Sequence, residues 1–185
     1  MATMINNGID VVGFLKEQHE QIKQLFGSVA MSSGEERERA FTALRRMMAV
    51  HETLEEEIVH PAARRALPDG EAIILARLQE ENHAQDLLAE LEQLDVDSTD
   101  FMGKLMTLER AVLAHARAEE RLEFERLGSM LNQKQLQHMR RAAAFAERLA
   151  PMAPHLGMES GASSPLAGPF ASMLDRTRDV FHGKS

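Results

Sequence analysis

Four long stretches of this chain carry apolar residues three or four positions apart, and that period confines them to amphipathic helices packed on one another. The first runs from about Ile9 to Ala30, with Val11 or Val12, Leu15, Ile22, Phe26 and Val29 on its stripe. The second, about Glu35 to Ala66, carries Phe41, Leu44, Met47, Met48, Leu54, Ile58 and Ala62, with Pro61 placed to disturb its end. The third, about Glu71 to Leu94, carries Ile73, Ile74, Leu78, Leu87, Leu88 and Leu91. The fourth starts in Asp97-Ser98-Thr99-Asp100, one of which caps it, and runs to about Leu127 through Phe101, Leu105, Leu108, Val112 and Leu122. Short breaks separate them: Ser32-Ser33-Gly34, then Leu67-Pro68-Asp69-Gly70. Successive helices with short joints pack as antiparallel neighbours.

The expected fold is therefore all-α, an up-and-down four-helix bundle with an additional short helix and a Pro-rich C-terminal tail. The extra helix is expected from about Gln133 to Ala150, which closes a bundle domain over 1–150. Residues 151–169 hold four Pro, three Gly and three Ser, the composition of a linker. Phe170, Met173, Leu174, Val180 and Phe181 then line one face of a short amphipathic segment within 151–185.

Composition narrows the chemistry. Val, Ile and Thr are sparse while Ala, Leu, Met, Glu, Gln and Arg abound, so a sheet has little to build with. A net charge of −8 argues against nucleic acid and anionic membrane as partners. Cysteine is absent, which excludes disulfides, thiolate catalysis and Cys-bound clusters, and fits a cytoplasmic protein. The N-terminus has no basic and apolar pattern of a signal peptide, and no run of apolar residues is long enough for a membrane span.

The candidate chemistry lies in the histidines. His19, His51, His83 and His115 fall one in each long segment, each 32 residues after the last. Each continues the apolar stripe of its segment. His51 with Glu55 and His115 with Glu119 form HxxxE pairs, which share a helix face with about 5–6 Å between Cβ atoms. Glu56 and Glu120 are turned roughly 140° away and are expected to face outward. The pattern repeats at an offset of 64 residues, as if two related hairpins faced each other. His60 reads as structural or exposed, Glu80-Glu81 as a solvated face, and His138, His155 and His182 as residues of the fifth helix or tail.

A carboxylate in an apolar stripe is costly unless paired or bound to a metal. Four imidazoles and two glutamates at one level suit a pair of cations. Nitrogen and oxygen donors without sulfur point to iron or manganese before zinc or copper. A metal-free scaffold is the remaining alternative.

At these residues the sequence resembles the hemerythrin-like (HHE cation-binding) family, over about residues 9–130. The pattern H…HxxxE…H…HxxxE is carried by His19, by HETLEEEIVHPA at 51–62, by EENHAQDLLAEL at 80–91 and by HARAEERLEFERL at 115–127. The tail is similar to that of actinobacterial members. The resemblance implies a non-haem centre of two Fe ions, oxo- or hydroxo-bridged, with ligands His19, His51, Glu55, His83, His115 and Glu119. It implies a small ligand, O2, H2O2 or NO, and catalase-like disproportionation of peroxide as one activity. A non-enzymatic O2, NO or iron sensor, or an iron-handling protein, is the alternative. The chain departs from the oxygen carriers of the family at Leu87, where they have a further histidine, and at Glu119, where they use HxxxxD.

Overall fold

The computed structural model describes residues 9–149, and among them every regular element is a helix. The order is α1 (Val11–Met31), α2 (Gly34–Leu54), a π-helical turn π1 (Glu55–Val59), α3 (His60–Ala66), α4 (Gly70–Leu91), α5 (Thr99–Glu119), a second π-helical turn π2 (Glu120–Phe124), α6 (Glu125–Met130) and α7 (Gln133–Leu149). The runs α2–π1–α3 and α5–π2–α6 are each one long helical stretch, so the four expected segments and the fifth helix are all present. The expected linker and tail over 151–185, with His155 and His182, lie outside the described residues. No helix among the described residues is long and apolar enough to cross a membrane.

Local chemistry sets the ends. Asp10 caps α1 by accepting a hydrogen bond from the Gly13 N–H at 3.1 Å, and Ser98 caps α5 through the Phe101 N–H at 3.1 Å. Gly34 opens α2 with φ +55°, a left-handed conformation that side chains disfavour. Its N–H donates to the Asp97 carboxylate at 3.0 Å, and Arg37 donates to the same carboxylate and to the Val29 and Val96 carbonyls. The α1–α2 joint is thereby tied to the loop before α5.

The expected disturbance at Pro61 takes the form of π1, which ends just before it. Proline offers no N–H to the preceding turn, so a widened turn there relieves a lost hydrogen bond. π2 contains no proline, so proline is not the shared cause. What the two share is a fully buried glutamate at the head of the widened turn, Glu55 in π1 and Glu119 just before π2.

The core is split into two apolar clusters. One gathers Ile22, Phe26, Leu44, Met48, Leu88, Leu105 and Val112; the other gathers Leu15, Leu54, Val59, Ile74, Phe124, Leu127 and Leu136. Along α1, His19 lies between Leu15 of one and Ile22 of the other. Along α5 and π2, His115 and Glu119 lie between Val112 and Phe124. A layer of buried polar side chains thus crosses the bundle between two hydrocarbon ends, and α7 closes one end with Leu136 and Ala143.

Gly70, the first residue of α4, packs directly on the backbone of α3: a Cβ there would collide with the Ala63 carbonyl and the Arg64 Cα. Gly70→Ala is expected to destabilise the fold by about 1–3 kcal/mol through overpacking against backbone that cannot give way. Urea unfolding followed by circular dichroism measures it.

Candidate metal centre

Nine titratable side chains fill the polar layer: His19, His51, Glu52, Glu55, His60, Glu81, His115, Glu119 and Glu123, all buried. The two HxxxE pairs sit as their spacing predicts. His51 Nε2 lies 3.4 Å from Glu55, His115 Nε2 lies 3.3 Å from Glu119, and His19 Nε2 approaches the same Glu119 oxygen at 3.3 Å. Glu55 and Glu119 are fully buried, while Glu56 and Glu120 are half-exposed.

Three of the imidazoles are held from behind. Nδ1 of His19 is 2.8 Å from Glu120, Nδ1 of His115 is 3.0 Å from Glu80, and Nδ1 of His51 is 3.0 Å from the Gln18 amide oxygen. Each partner is an acceptor, so each ring carries a proton on Nδ1 and turns Nε2 inward. Those three Nε2 atoms make no hydrogen bond, and neither do both oxygens of Glu55, Glu119 and Glu123. An acceptor behind the ring and a free lone pair in front is the arrangement of metal-binding histidine.

Ligating atoms converge in three overlapping groups, each with its atoms within 4.8 Å of one another: His19, His51, Glu55 and Glu119; Glu52, Glu55, Glu81 and His115; and Glu55, His60, Glu81 and Glu119. Glu55 belongs to all three and stands at the centre. Arg77, also buried, donates to Glu80 at 2.8 Å behind His115.

His83 is not part of this layer. It is exposed, and the structure brings Glu81 inward in its stead. Two residues apart on a helix, they point about 200° away from each other. The buried face of α4 runs Ile74, Arg77, Glu81, Ala84, Leu88, Leu91. Glu81, Ala84, Leu88 and Leu91 match His19, Ile22, Phe26 and Val29 of α1 at an offset of 62, whereas His51 and Glu55 match His115 and Glu119 at 64. The longer joint between α4 and α5 takes up the two residues, so the equal histidine spacing does not translate into equal facing.

Four residues of the layer escaped the sequence reading, Glu52 at 4% exposure among them. His60 and Glu81, read as structural or solvated, are 1% and 2% exposed, and Glu123 is fully buried. His60 Nε2 lies 3.7 Å from Glu81, 3.9 Å from Glu123 and 4.0 Å from Glu119. The signal that finds Glu81 is Arg77, four residues earlier on the same face; charged residues at helical spacing look like a gap in an apolar stripe unless counted with it.

Burial and mutual repulsion set the protonation of the cation-free centre. Burial, then Glu119 nearby, pushes the Glu55 carboxyl well up; burial and Glu81 do the same to Glu52. Burial is the main cause that raises Glu81 and Glu123 to about 8 each. Burial disfavours the charged Glu119 as well, but His115, His19 and His60 around it hold its carboxyl well below the usual range. For His115, burial opposes protonation, yet Glu119 and Glu80 raise it to about 10. Burial and neighbouring His19 keep His51 low, hence neutral.

An imidazole–carboxylate layer inside a helical bundle, its inward atoms lacking partners, defines a cation-binding bundle protein. The chain belongs to the hemerythrin family: the Hemerythrin HHE cation binding domain matches residues 10–127. Among solved structures it is similar to a hemerythrin HHE cation binding domain-containing protein from Mycobacterium kansasii, with TM-score 0.69 and 19% identity over 91% of this chain and 99% of that one. At that identity the likeness speaks to the fold. No functionally curated protein matches the chain.

A folded carboxyl raised to about 8 keeps a proton that the unfolded chain releases near 4.5, so stability falls as pH rises through that window. His115, raised from 6.5 to about 10, acts in the same direction above 6.5. The lowered groups, His51 and Glu119, act oppositely only near or below their ordinary values of 6.5 and 4.5. In chelator, the melting temperature is therefore expected to fall between pH 6.5 and 8. A saturating divalent cation, whose binding displaces those protons, should remove or invert that slope in scanning calorimetry.

Proposed function

We propose that this layer holds two iron ions and that the protein binds and reacts with a small oxygen or nitrogen ligand, with disproportionation of hydrogen peroxide to water and dioxygen as its reaction. The observation that carries the reading is the set of three imidazoles pinned through Nδ1 with Nε2 atoms that make no hydrogen bond and are aimed at Glu55 and Glu119. The charge supports two cations. Among the described residues, five buried carboxylates of the layer against the Arg77 guanidinium beside them leave four negative charges when the histidines are neutral, the charge of two divalent ions; the other buried arginine, Arg45, pairs with Glu92. Nitrogen and oxygen donors in a chain without cysteine favour iron or manganese.

His19, His51, Glu55 and Glu119 would hold one ion, and Glu52, Glu81 and His115 with Glu55 the other. Two such ions supply Lewis acidity and a redox couple for small-ligand chemistry. The protein supplies a confined approach. A cavity of about 10 Å³, lined by Ile22, Met48, Val112, Leu113 and Ala116 with His19, His51, His115 and Glu52, opens beside the histidine side of the layer. It has room for about one water-sized molecule, so this approach is open to small ligands and closed to bulky ones. Glu52 lines that cavity, so a ligand held there lies beside one of the carboxylates of the centre.

Contact between the layer and α7 favours a second reading, a sensor of ligand or iron in which the fifth helix reports the state of the centre.

Anaerobic loading with Fe(II), followed by metal analysis, visible absorption and peroxide addition, tests the proposal. About two irons per chain with ligand-to-metal charge-transfer bands and prompt O2 release are expected. Chain that takes up iron without O2 release leaves the sensor reading; chain that takes up none sinks both. Glu81→Ala should weaken binding of the second iron by more than about tenfold, since even outer partners carry 10–100-fold. His83→Ala should bind iron as the unaltered protein does.

A further inference from the structure

α7 begins at Gln133, beyond the residues matched by the family domain, yet it reaches the centre through a buried side chain of α1. Gln18, 1% exposed, stands between His51 and α7. Its Oε1 accepts from His51 Nδ1 at 3.0 Å, and its Nε2 donates to Glu147 Oε1 of α7 at 3.2 Å. The helix that carries Glu147 is docked by Leu136 and Ala143, both buried, and by the Arg140 guanidinium lying 3.7 Å over the Phe14 ring.

An amide presents an acceptor at one end and a donor at the other, and the two ends have nearly the same shape. A carboxylate only accepts. Glu147 therefore dictates that Gln18 turns its NH2 toward α7 and its carbonyl toward His51. The carbonyl in turn dictates that His51 carries its proton on Nδ1, which leaves the Nε2 lone pair facing Glu55 at 3.4 Å. An amide turned the other way would offer its NH2 to Nδ1 and force the proton onto Nε2, where it would block a cation. His19 and His115 are free of this ambiguity, because Glu120 and Glu80 present carboxylates that read the same from either oxygen.

We infer that Glu147 is a positioning residue for the centre: through Gln18 it holds His51 in the cation-ready tautomer, and so couples the docking of α7 to cation binding. The coupling is reciprocal by thermodynamic necessity, so a bound cation tightens α7 by the factor that docked α7 tightens the cation. This inference rests on the cation reading above and deepens it by naming a control over the site.

The full chain, Glu147→Ala, Gln18→Glu and the double variant serve as the test. Nitrogen-15 spectra of the cation-free protein report the His51 tautomer, and anaerobic Fe(II) titration reports affinity. Glu147→Ala is expected to yield a mixture of Nδ1–H and Nε2–H forms at His51 and to weaken Fe(II) binding by about 10–100-fold. The double variant, in which a carboxylate faces His51 whatever its orientation, is expected to restore both. Amide exchange in α7 should slow on Fe(II) loading of the unaltered protein and less so in Glu147→Ala. Unchanged tautomer and affinity in Glu147→Ala, or failure of Gln18→Glu to rescue, would overturn the inference. An unaltered chain that binds no Fe(II) would instead overturn the cation reading, and the tautomer readout would still decide the role of Glu147.

Discussion

Uncompensated charge in the middle of the bundle is the constraint on which the rest of this structure depends. Five carboxylates and four imidazoles share one buried layer, with Arg77 and His115 as the chief groups that oppose the carboxylates. Buried ions without partners are costly, and the raised carboxyls of Glu52, Glu55, Glu81 and Glu123 show the cation-free protein escaping that cost by keeping protons. Cations do the same work without protons. The two apolar clusters on either side supply the burial that holds the layer together while it is strained.

Shape follows from this layer. Both π-helical turns occur where a helix passes a fully buried glutamate of the centre, a recurrent place for such turns. Behind the inward atoms stands a second ring of contacts, Glu120 on His19, Glu80 on His115 and Gln18 on His51, each on a different helix from the histidine it holds. The bundle thus fixes ring orientation and tautomer through its helix packing. Only at His51 does the outer partner itself need fixing, and there the fifth helix enters the centre.

Much of the arrangement was legible in the sequence because helical periodicity is local. The stripes of Leu15, Ile22 and Phe26, or of Leu105, Leu108 and Val112, announce which face of a helix is inside. The HxxxE spacing then places His51 with Glu55 and His115 with Glu119 on those faces, and the structure brings both pairs inside. The resemblance to the hemerythrin family stood on the same residues. On α4 the stripe is interrupted by Arg77 and Glu81, so apolar residues alone pointed to the wrong face and to His83. Facing depends there on a longer joint than its counterpart, which shifts the offset between the two hairpins from 62 to 64 residues and which no local pattern records.

By itself, then, the sequence determined that this chain forms amphipathic helices around a histidine–glutamate layer, because a period of 3.6 residues and an i, i+4 pair are properties of one helix alone. Tertiary structure decided which side chains complete that layer. Glu81 in place of His83, the burial of His60 and Glu123, and the line from Glu147 through Gln18 to His51 all depend on the rotation of one helix against another. That rotation is set by packing over the whole core and by the lengths of the joints, so it appears only once the helices meet.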